Sequence, residues 1–299
     1  LQYLSLTLKE DEDDLEEEDL QEYRNVGAAI ERIPQMRLCE LVLSSIPGIV
    51  MENIVHPLLE RCPRMEKLHL RWVCALRTLE HLAKTLKENK LPTLRHLNYA
   101  GEQLDRDAFD KVVSHIACGL VSLKLRGDEG CVAAPSLIQY HFRSLTSLKI
   151  SFLISLWTLS DLMAGLPCLR TVRVSIYINR DDENAGARPF DKDWKCVDLR
   201  NLELYTTLYT RYNIGNHGRK ECFEKKWVDY VFSQVGKLRS LQKLDFGCRL
   251  DVYRKKHGYL EQLAGLKQLK VLDLTNTDYG KFGKQEALWM AENWPKLLQ

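Results

Sequence analysis

Few side chains in this sequence stand at the spacings that metal binding requires. His115 and Cys118 are three residues apart, and His217 and Cys222 are five residues apart. A structural zinc site holds four ligands, usually as two closely spaced pairs, and neither of these pairs has a second pair near it. The sequence therefore predicts no metal site and no cofactor.

Sequence motifs for catalysis are also missing. The chain contains no G-x-S-x-G, no G-x-G-x-x-G, no H-E-x-x-H and no Walker phosphate-binding loop. The carboxylate pair Asp181 and Asp182 falls in a polar stretch, without the apolar surroundings that prepare a carboxyl group for acid–base catalysis. We therefore expect no catalytic residues and no enzyme activity.

The cysteines indicate a reducing compartment. Their number is odd, nine, and no two of them form a C-x-x-C pair, whereas a secreted disulfide scaffold usually has an even number. The sequence has no N-x-S/T glycosylation site and no apolar run of the roughly 18 residues that can span a bilayer. We expect a cytoplasmic or nuclear protein with no membrane partner.

One apolar pattern occurs ten times along the chain. A large apolar residue is followed by a second three positions later and by a third two positions after that. Most of the intervals lie in or near the range of about 20 to 29 residues that leucine-rich repeats show. The first positions are Leu1, Leu38, Met65, Leu94, Leu120, Leu145, Leu169, Leu199, Leu241 and Leu269.

Segments with helical periodicity separate these patterns. Residues 78–87, for example, place Leu79, Leu82 and Leu86 on one face of a helix. Several of the helices are followed by a proline just before the next strand, where proline cannot continue the helix. Further helices are predicted over residues 20–33, 51–59, 108–117, 156–166, 227–235, 259–266 and 287–294.

Each repeat is thus predicted to be a strand followed by a helix. The fold class is α/β: a leucine-rich repeat solenoid with a parallel inner sheet and outer helices, arranged as an irregular horseshoe or arc. We expect residues 1–299 to form one domain of about ten repeats that is truncated at both ends. The chain starts on a strand pattern, and Leu297 stands where an eleventh strand would begin.

The residues between the apolar positions are predicted to face away from the core, on the concave side of the sheet. They form a basic patch in the central repeats, and carboxylates follow toward the C-terminus. Ten of them are expected to contact a protein partner: Lys67, His69, Arg71, His96, Lys124, Arg126, Lys149, Arg173, Glu203 and Tyr205.

Like charges on neighbouring strands repel each other, so an acidic segment of a partner is expected to lie across the cations. The alternative is that the long basic side chains extend into water, where screening weakens their repulsion. Nucleic acid is not favoured as the partner, because the net charge is only +2 and the isoelectric point is about 8.1.

Three intervals are longer or more polar than the rest. Lys9–Asp19 is strongly acidic and is either a solvated loop or a contact for a basic partner. Tyr177–Val197 and Tyr205–Cys222 are predicted to be long loops. Such loops are either tolerated insertions or contact surfaces at one rim of the solenoid.

The strand–helix units of irregular length resemble the leucine-rich half of fungal F-box-like proteins, within the ribonuclease-inhibitor-like repeat group. The resemblance is carried by CPRMEKLHL, LPTLRHL, LPCLRTV and the closing WMAENWPKL, and it covers essentially the whole chain. The Asn or Cys usual after the third apolar position is absent from most repeats, which favours a less regular arc.

The resemblance implies the substrate-recognition part of a cullin-type ubiquitin ligase. A Skp-type adaptor and a cullin would then be reached only through an F-box upstream of Leu1, and the repeats would hold the target without doing chemistry. The alternative is a leucine-rich repeat scaffold or regulator of a signalling protein, for example a small GTPase, with no ligase role.

Overall fold

The fold is described from a computed structural model. It describes residues 2–7, 17–45, 50–71, 75–101, 103–127, 129–130, 134–179, 192–209, 229–248, 261–273 and 284–297. The chain divides into two compact units, Leu1–Phe152 (unit 1) and Leu153–Gln299 (unit 2). The acidic interval falls almost entirely outside the described side chains, as do most of the two predicted loops. The prediction of a single domain stays a prediction.

Unit 1 is built on parallel strands that follow one another in chain order. Each strand pairs in parallel with the next, and β5 and β7 form a separate two-stranded pair. The strands are β1 (Tyr3–Thr7), β2 (Glu40–Ser44), β3 (Lys67–Arg71), β4 (His96–Ala100), β5 (Gln103–Leu104), β6 (Ser122–Arg126), β7 (Glu129–Gly130) and β8 (Ser147–Ser155).

The register of these strands aligns the repeated apolar residues. Leu68 lies opposite Leu97, Leu97 opposite Leu123, and Leu123 opposite Leu148. All four side chains are at most 2% exposed. Burying a leucine contributes roughly 1.5 to 3 kcal/mol, so this row supplies a continuous core. The prediction that these leucines stand side by side on consecutive parallel strands is confirmed.

A forked backbone hydrogen bond sets this register. The carbonyl of the residue before a strand accepts from two successive N–H groups of the next repeat, the first of which precedes the next strand. Cys39 O, for example, accepts from Glu66 N at 2.8 Å and from Lys67 N at 3.0 Å. A carbonyl has two lone pairs, so both bonds satisfy it fully. In unit 1 the fork recurs at Gln2, Cys39, Glu66, Arg95 and Val121.

Helices connect the strands of unit 1. They are α1 (Glu17–Glu31), a π-helical turn (Met51–Val55) that leads into α2 (His56–Glu60), α3 (Ala75–Lys87), α4 (Arg106–His115) and α5 (Ala134–His141). The predicted helices over 20–33, 78–87 and 108–117 are confirmed within a few residues, whereas α5 was not predicted. At the start of α4, the Asp105 carboxylate accepts from Ala108 N at 2.7 Å and caps the helix.

Unit 2 repeats the same arrangement with parallel strands. They are β9 (Thr171–Asn179), β10 (Asn201–Tyr209), β11 (Lys243–Cys248) and β12 (Val271–Asp273). The forked hydrogen bonds recur at Arg170, Arg200 and Gln242. The helices are α6 (Leu156–Gly165) and α7 (Lys284–Asn293), and residues 229–236 are also helical.

Two predicted loops begin later than expected. Residues 177–179 continue β9 and residues 205–209 belong to β10, paired through Tyr209 with Asn179. Both extensions contain aromatic and β-branched residues, Tyr177, Ile178 and the run TTLY, which favour extended backbone. The remainder of each loop lies outside the described residues, except for residues 192–197.

A buried histidine joins two repeats of unit 1. His141 is 0% exposed at the end of α5. Its Nδ1 accepts from Leu120 N at 3.1 Å, and its Nε2 donates to Val113 O at 2.9 Å. These two bonds require a neutral ring with its proton on Nε2. Burial lowers the pKa of His141, because the charged ring loses its hydration.

Within the described residues, no helix is both long enough and apolar enough to cross a membrane.

Replacing a core leucine with a charge should unfold the array. Leu123→Asp places an unpaired carboxylate among stacked strands, so we expect a loss of at least about 3 kcal/mol in the free energy of unfolding. Lys149→Ala changes an outward residue of the adjacent strand and should alter that free energy by less than about 0.5 kcal/mol. Urea unfolding followed by circular dichroism measures both, and equal losses would contradict the inward and outward assignments.

Removing the His141 side chain should also destabilise unit 1. In His141→Leu, the buried Leu120 N–H loses its partner, at a cost of about 1 to 3 kcal/mol, and Val113 O keeps only the bond from Ile116 N at 3.4 Å. Gln139→Leu, an exposed change on the same helix, is the control and should leave stability nearly unchanged.

The loss at His141 should depend on pH. Well above pH 6.5 the ring is neutral in both folded and unfolded chains. As the pH falls below 6.5 the unfolded ring takes up a proton before the folded ring does. The stability contributed by neutral His141 therefore decreases as the pH approaches the lower pKa of the folded state. Urea titrations at several pH values should therefore show a smaller acid loss for His141→Leu than for the unchanged protein. Equal acid losses would show that His141 is not responsible.

Candidate functional site

The polar strand face of unit 1 consists of the strand residues that alternate with the buried core positions. They lie in register across β2, β3, β4, β6 and β8, so that His69, Asn98, Lys124 and Lys149 form one row. The whole set is Glu40, Val42, Ser44, Lys67, His69, Arg71, His96, Asn98, Ala100, Ser122, Lys124, Arg126, Ser147 and Lys149.

This face carries a strong excess of positive charge. Of the residues just named, five are lysine or arginine, and one, Glu40, is a carboxylate. Lys124 and Lys149 stand directly opposite each other on neighbouring strands, where parallel strands are about 4.8 Å apart. The structure thus brings together seven of the ten residues predicted to contact a partner.

Glu40 offsets the part of this positive charge that lies at Lys67 and His69. Its Oε2 is 3.0 Å from Lys67 Nζ, and its Oε1 is 3.5 Å from His69 Nε2. The second distance is too long for a hydrogen bond but short enough for a favourable interaction with a protonated ring. Glu40 lies on β2, one strand before both partners.

His69 is held between Glu40 and a buried amide. Asn98 Nδ2 is 3.1 Å from His69 Nδ1. Asn98 is 8% exposed, and its Oδ1 has no hydrogen-bond partner among the described residues. Burial lowers the pKa of His69, and the charges of Arg71, Lys67 and Lys124 lower it further, against the opposing effect of Glu40. The pKa of His96 is lowered in the same way, by burial first and then by Lys67.

The polar strand face of unit 2 is balanced by its own ion pairs. Glu203 Oε1 is 2.6 Å from Lys243 Nζ, and its Oε2 is 3.4 Å from Arg173 Nε. The register places Arg173, Glu203, Asp245 and Asp273 in one row across four strands. The hydrogen bond to Glu203 raises the pKa of Lys243. Arg173, predicted to bind an acidic segment, already has a carboxylate partner.

Tyr205 lies across this row. Its hydroxyl donates to Asp245 Oδ2 at 3.1 Å, and the guanidinium of Arg173 is 5.2 Å from the ring centre. The opposite residue on β11 is Gly247, and a β-carbon there would come within 2.2 Å of the tyrosine ring. Glycine is therefore required for the ring to lie flat. Burial raises the pKa of Tyr205 to about 12, with a further contribution from the charge of Asp245.

The ten predicted residues thus occupy two different electrostatic settings. Lys67, His69, Arg71, His96, Lys124, Arg126 and Lys149 share the cationic face of unit 1. Arg173, Glu203 and Tyr205 belong to the compensated network of unit 2. Partner binding by any of them stays a prediction.

The sequence analysis missed the residues that decide these settings, namely Glu40, Lys243 and Gly247. Glu40 and Lys243 occupy the same position of the repeat as Lys67, two residues after the first apolar residue. Reading that position through every repeat would have found both charges. The role of Gly247 depends on the tyrosine opposite it, which no spacing rule reveals.

An open cleft of about 850 Å³ in unit 2 contains none of the ten predicted residues. Its lining includes Tyr230, Gln234 and Lys237. These groups bind residues 192–194, since Tyr230 OH donates to Lys192 O at 2.8 Å and Gln234 Oε1 accepts from Trp194 N at 3.1 Å. Lys237 Nζ is 2.6 Å from Asp193. Tyr230, Gln234 and Lys237 therefore link residues 192–194 to the segment that carries these three side chains.

The described part of the chain contains no group of three or more His, Cys, Asp or Glu side chains placed to hold a metal ion. Comparison with known proteins found no matching family model and no matching curated protein. Function must therefore be inferred from the residues of this chain.

The raised pKa of Tyr205 can be measured directly. With a pKa of about 12, the phenol should remain about nine-tenths protonated at pH 11. In Asp245→Asn the neighbouring negative charge is removed, so the ionised fraction at pH 11 should rise. Carbon-13 NMR of labelled tyrosine reports both states, with Tyr205→Phe used to identify the resonance.

The matched control is Asp198→Asn, an exposed carboxylate in the same unit. It should leave the Tyr205 resonance unchanged. A Tyr205 midpoint at the ordinary tyrosine value of about 10 would contradict the buried network.

Proposed function

We propose that this chain is a non-catalytic protein-interaction module that binds its partner on the polar strand face of unit 1. The observation that carries the proposal is the charge composition of that face, on which the described strand residues include five cationic side chains and one carboxylate, Glu40. The face is held in fixed register by the backbone, so its cationic side chains are displayed at constant spacing.

The repeats are, in this proposal, of the leucine-rich type. Support comes from the buried apolar triplets, the parallel strands in chain order and the helices between them. Each repeat buries its apolar face against its neighbours, which leaves the alternate strand positions available for recognition.

The more specific proposal is that the chain recognises substrates for an F-box-type ubiquitin ligase. It rests on the resemblance of the strand and proline patterns to fungal F-box-like proteins. In that role the repeats would position a target protein, while a Skp-type adaptor and a cullin would be recruited through an F-box outside this sequence. A scaffold or regulator of a signalling protein would use the same face without recruiting a ligase.

Charge reversal on the face tests the binding proposal. Lys124→Glu combined with Lys149→Glu converts two adjacent cations to carboxylates, so proteins captured by the unchanged chain should be lost at least about tenfold. Quantitative mass spectrometry of proteins captured by the tagged full chain measures this. Ubiquitin-ligase subunits in the captures, and longer half-lives of the captured proteins after gene deletion, would distinguish the ligase role from a scaffold.

The matched control is Lys84→Glu combined with Lys87→Glu, two exposed lysines on α3. This variant carries the same change of charge away from the polar strand face and should retain the captured proteins. Equal capture by all three chains would overturn the proposal.

A further inference from the structure

His69 stands at the centre of the polar strand face, with a carboxylate near one ring nitrogen and a side-chain amide near the other. On one side, Glu40 Oε1 is 3.5 Å from Nε2. On the other side, the Asn98 amide is 3.1 Å from Nδ1. A doubly protonated imidazole has two N–H donors: Nε2 faces the Glu40 carboxylate, and Nδ1 can donate to Asn98 once the amide has rotated to present Oδ1.

We propose that the polar strand face of unit 1 binds an acidic, carboxylate-rich segment of a partner protein, and that His69 takes up a proton when the segment binds. This inference rests on the proposed function, and it adds the chemistry of the partner and the coupling of binding to pH.

The hydrogen bonds of Asn98 provide the first argument. In the neutral state, Asn98 Nδ2 donates to Nδ1 of His69, and the ring proton lies on Nε2. Within the described part of the chain, Asn98 Oδ1 is then buried without a partner, an unfavourable arrangement. When Nδ1 gains a proton, a rotation of the amide by half a turn allows Oδ1 to accept from it. The Asn98 amide can therefore hydrogen-bond to either state of the ring, through Nδ2 when Nδ1 is unprotonated and through Oδ1 when Nδ1 carries a proton.

The charges around His69 provide the second argument. Lys67 and Arg71 lie on its own strand, Lys124 lies two strands away, and Glu40 is the facing carboxylate on the neighbouring strand. The three cations, together with burial, keep the pKa of His69 below its ordinary value of 6.5 in the free protein. Carboxylates bound beside these cations would offset their effect, so the complex would hold a proton that the free protein does not.

The spacing of the cations indicates the form of the ligand. Alternate residues of a strand, such as Lys124 and Arg126, are about 6.7 Å apart along the strand, and neighbouring strands are about 4.8 Å apart. An extended peptide with a glutamate at every second position places its carboxylates about 6.7 Å apart on one side. The face of unit 2 lacks this charge excess, because Glu203 is bonded to both Lys243 and Arg173.

The test is calorimetric titration of the full chain with a ten-residue peptide of alternating Glu and Ser. Titrations at pH 7.5, 7.0 and 6.5, each in two buffers of different ionisation enthalpy, give the affinity and the number of protons taken up. We expect proton uptake from the buffer and an affinity that rises roughly three- to tenfold from pH 7.5 to pH 6.5, with one proton as the upper limit.

Three variants separate the parts of the inference. His69→Gln should bind the peptide with an affinity that changes less than about twofold over the same pH range, because the linked proton is gone. Asn98→Leu, which removes the amide oxygen, should reduce the uptake. His115→Gln on α4, away from the strand face, should behave as the unchanged protein does.

The outcomes distinguish this inference from the proposed function. Peptide binding with the same proton uptake in His69→Gln as in the unchanged chain would overturn the role of His69. Tighter binding of a ten-residue single-stranded thymidine oligonucleotide would overturn the acidic protein segment as the ligand. If the peptide fails to bind while the captured proteins still depend on Lys124 and Lys149, the inference fails and the binding module stands. If capture does not depend on those lysines, the proposed function itself fails.

Discussion

The forked hydrogen bond that recurs before eight of the described strands is the constraint on which the rest of the structure depends. One carbonyl, such as Glu66 O, accepts from two successive N–H groups of the next repeat, those of Arg95 and His96. This contact fixes the first residue of each new strand relative to the previous one. A shift by one residue would turn every leucine of the strand toward solvent, so the fork and the buried apolar triplets support the same register. Core and polar face follow from that register together.

The repeating part of the fold was predictable because two periodic signals agree in it. Leucine triplets mark strands, stripes at helical spacing mark helices, and prolines such as Pro92 mark the turn between them. The structure differs from the prediction where only one of these two signals is present. Helix α5 contains Pro135 and a short apolar stripe, so its sequence does not indicate a helix. Residues 206–209 extend β10 through pairing with β9, a tertiary contact that local composition does not reveal.

The site was predictable as a set of positions but not as an electrostatic state. Alternation along each strand identifies which residues leave the core, and the structure brings seven of the predicted residues onto one face. The state of their charges depends on side-chain partners from other repeats. Glu40 reaches Lys67 across 27 residues of sequence, and Glu203 reaches Lys243 across 40. These contacts divide the ten residues into a cationic group and a compensated group, which the order of the residues alone could not do.

The fork uses only main-chain atoms, and this has an evolutionary consequence. Because no side chain of the polar strand face takes part in the fork, mutation can replace the exposed side chains of that face one at a time without disturbing how neighbouring repeats stack. A duplicated gene could thus acquire a new recognition specificity by drift on this face while its product continues to fold. Selection would act separately on two sets of alternating codons, one conserved for packing and the other free to diversify.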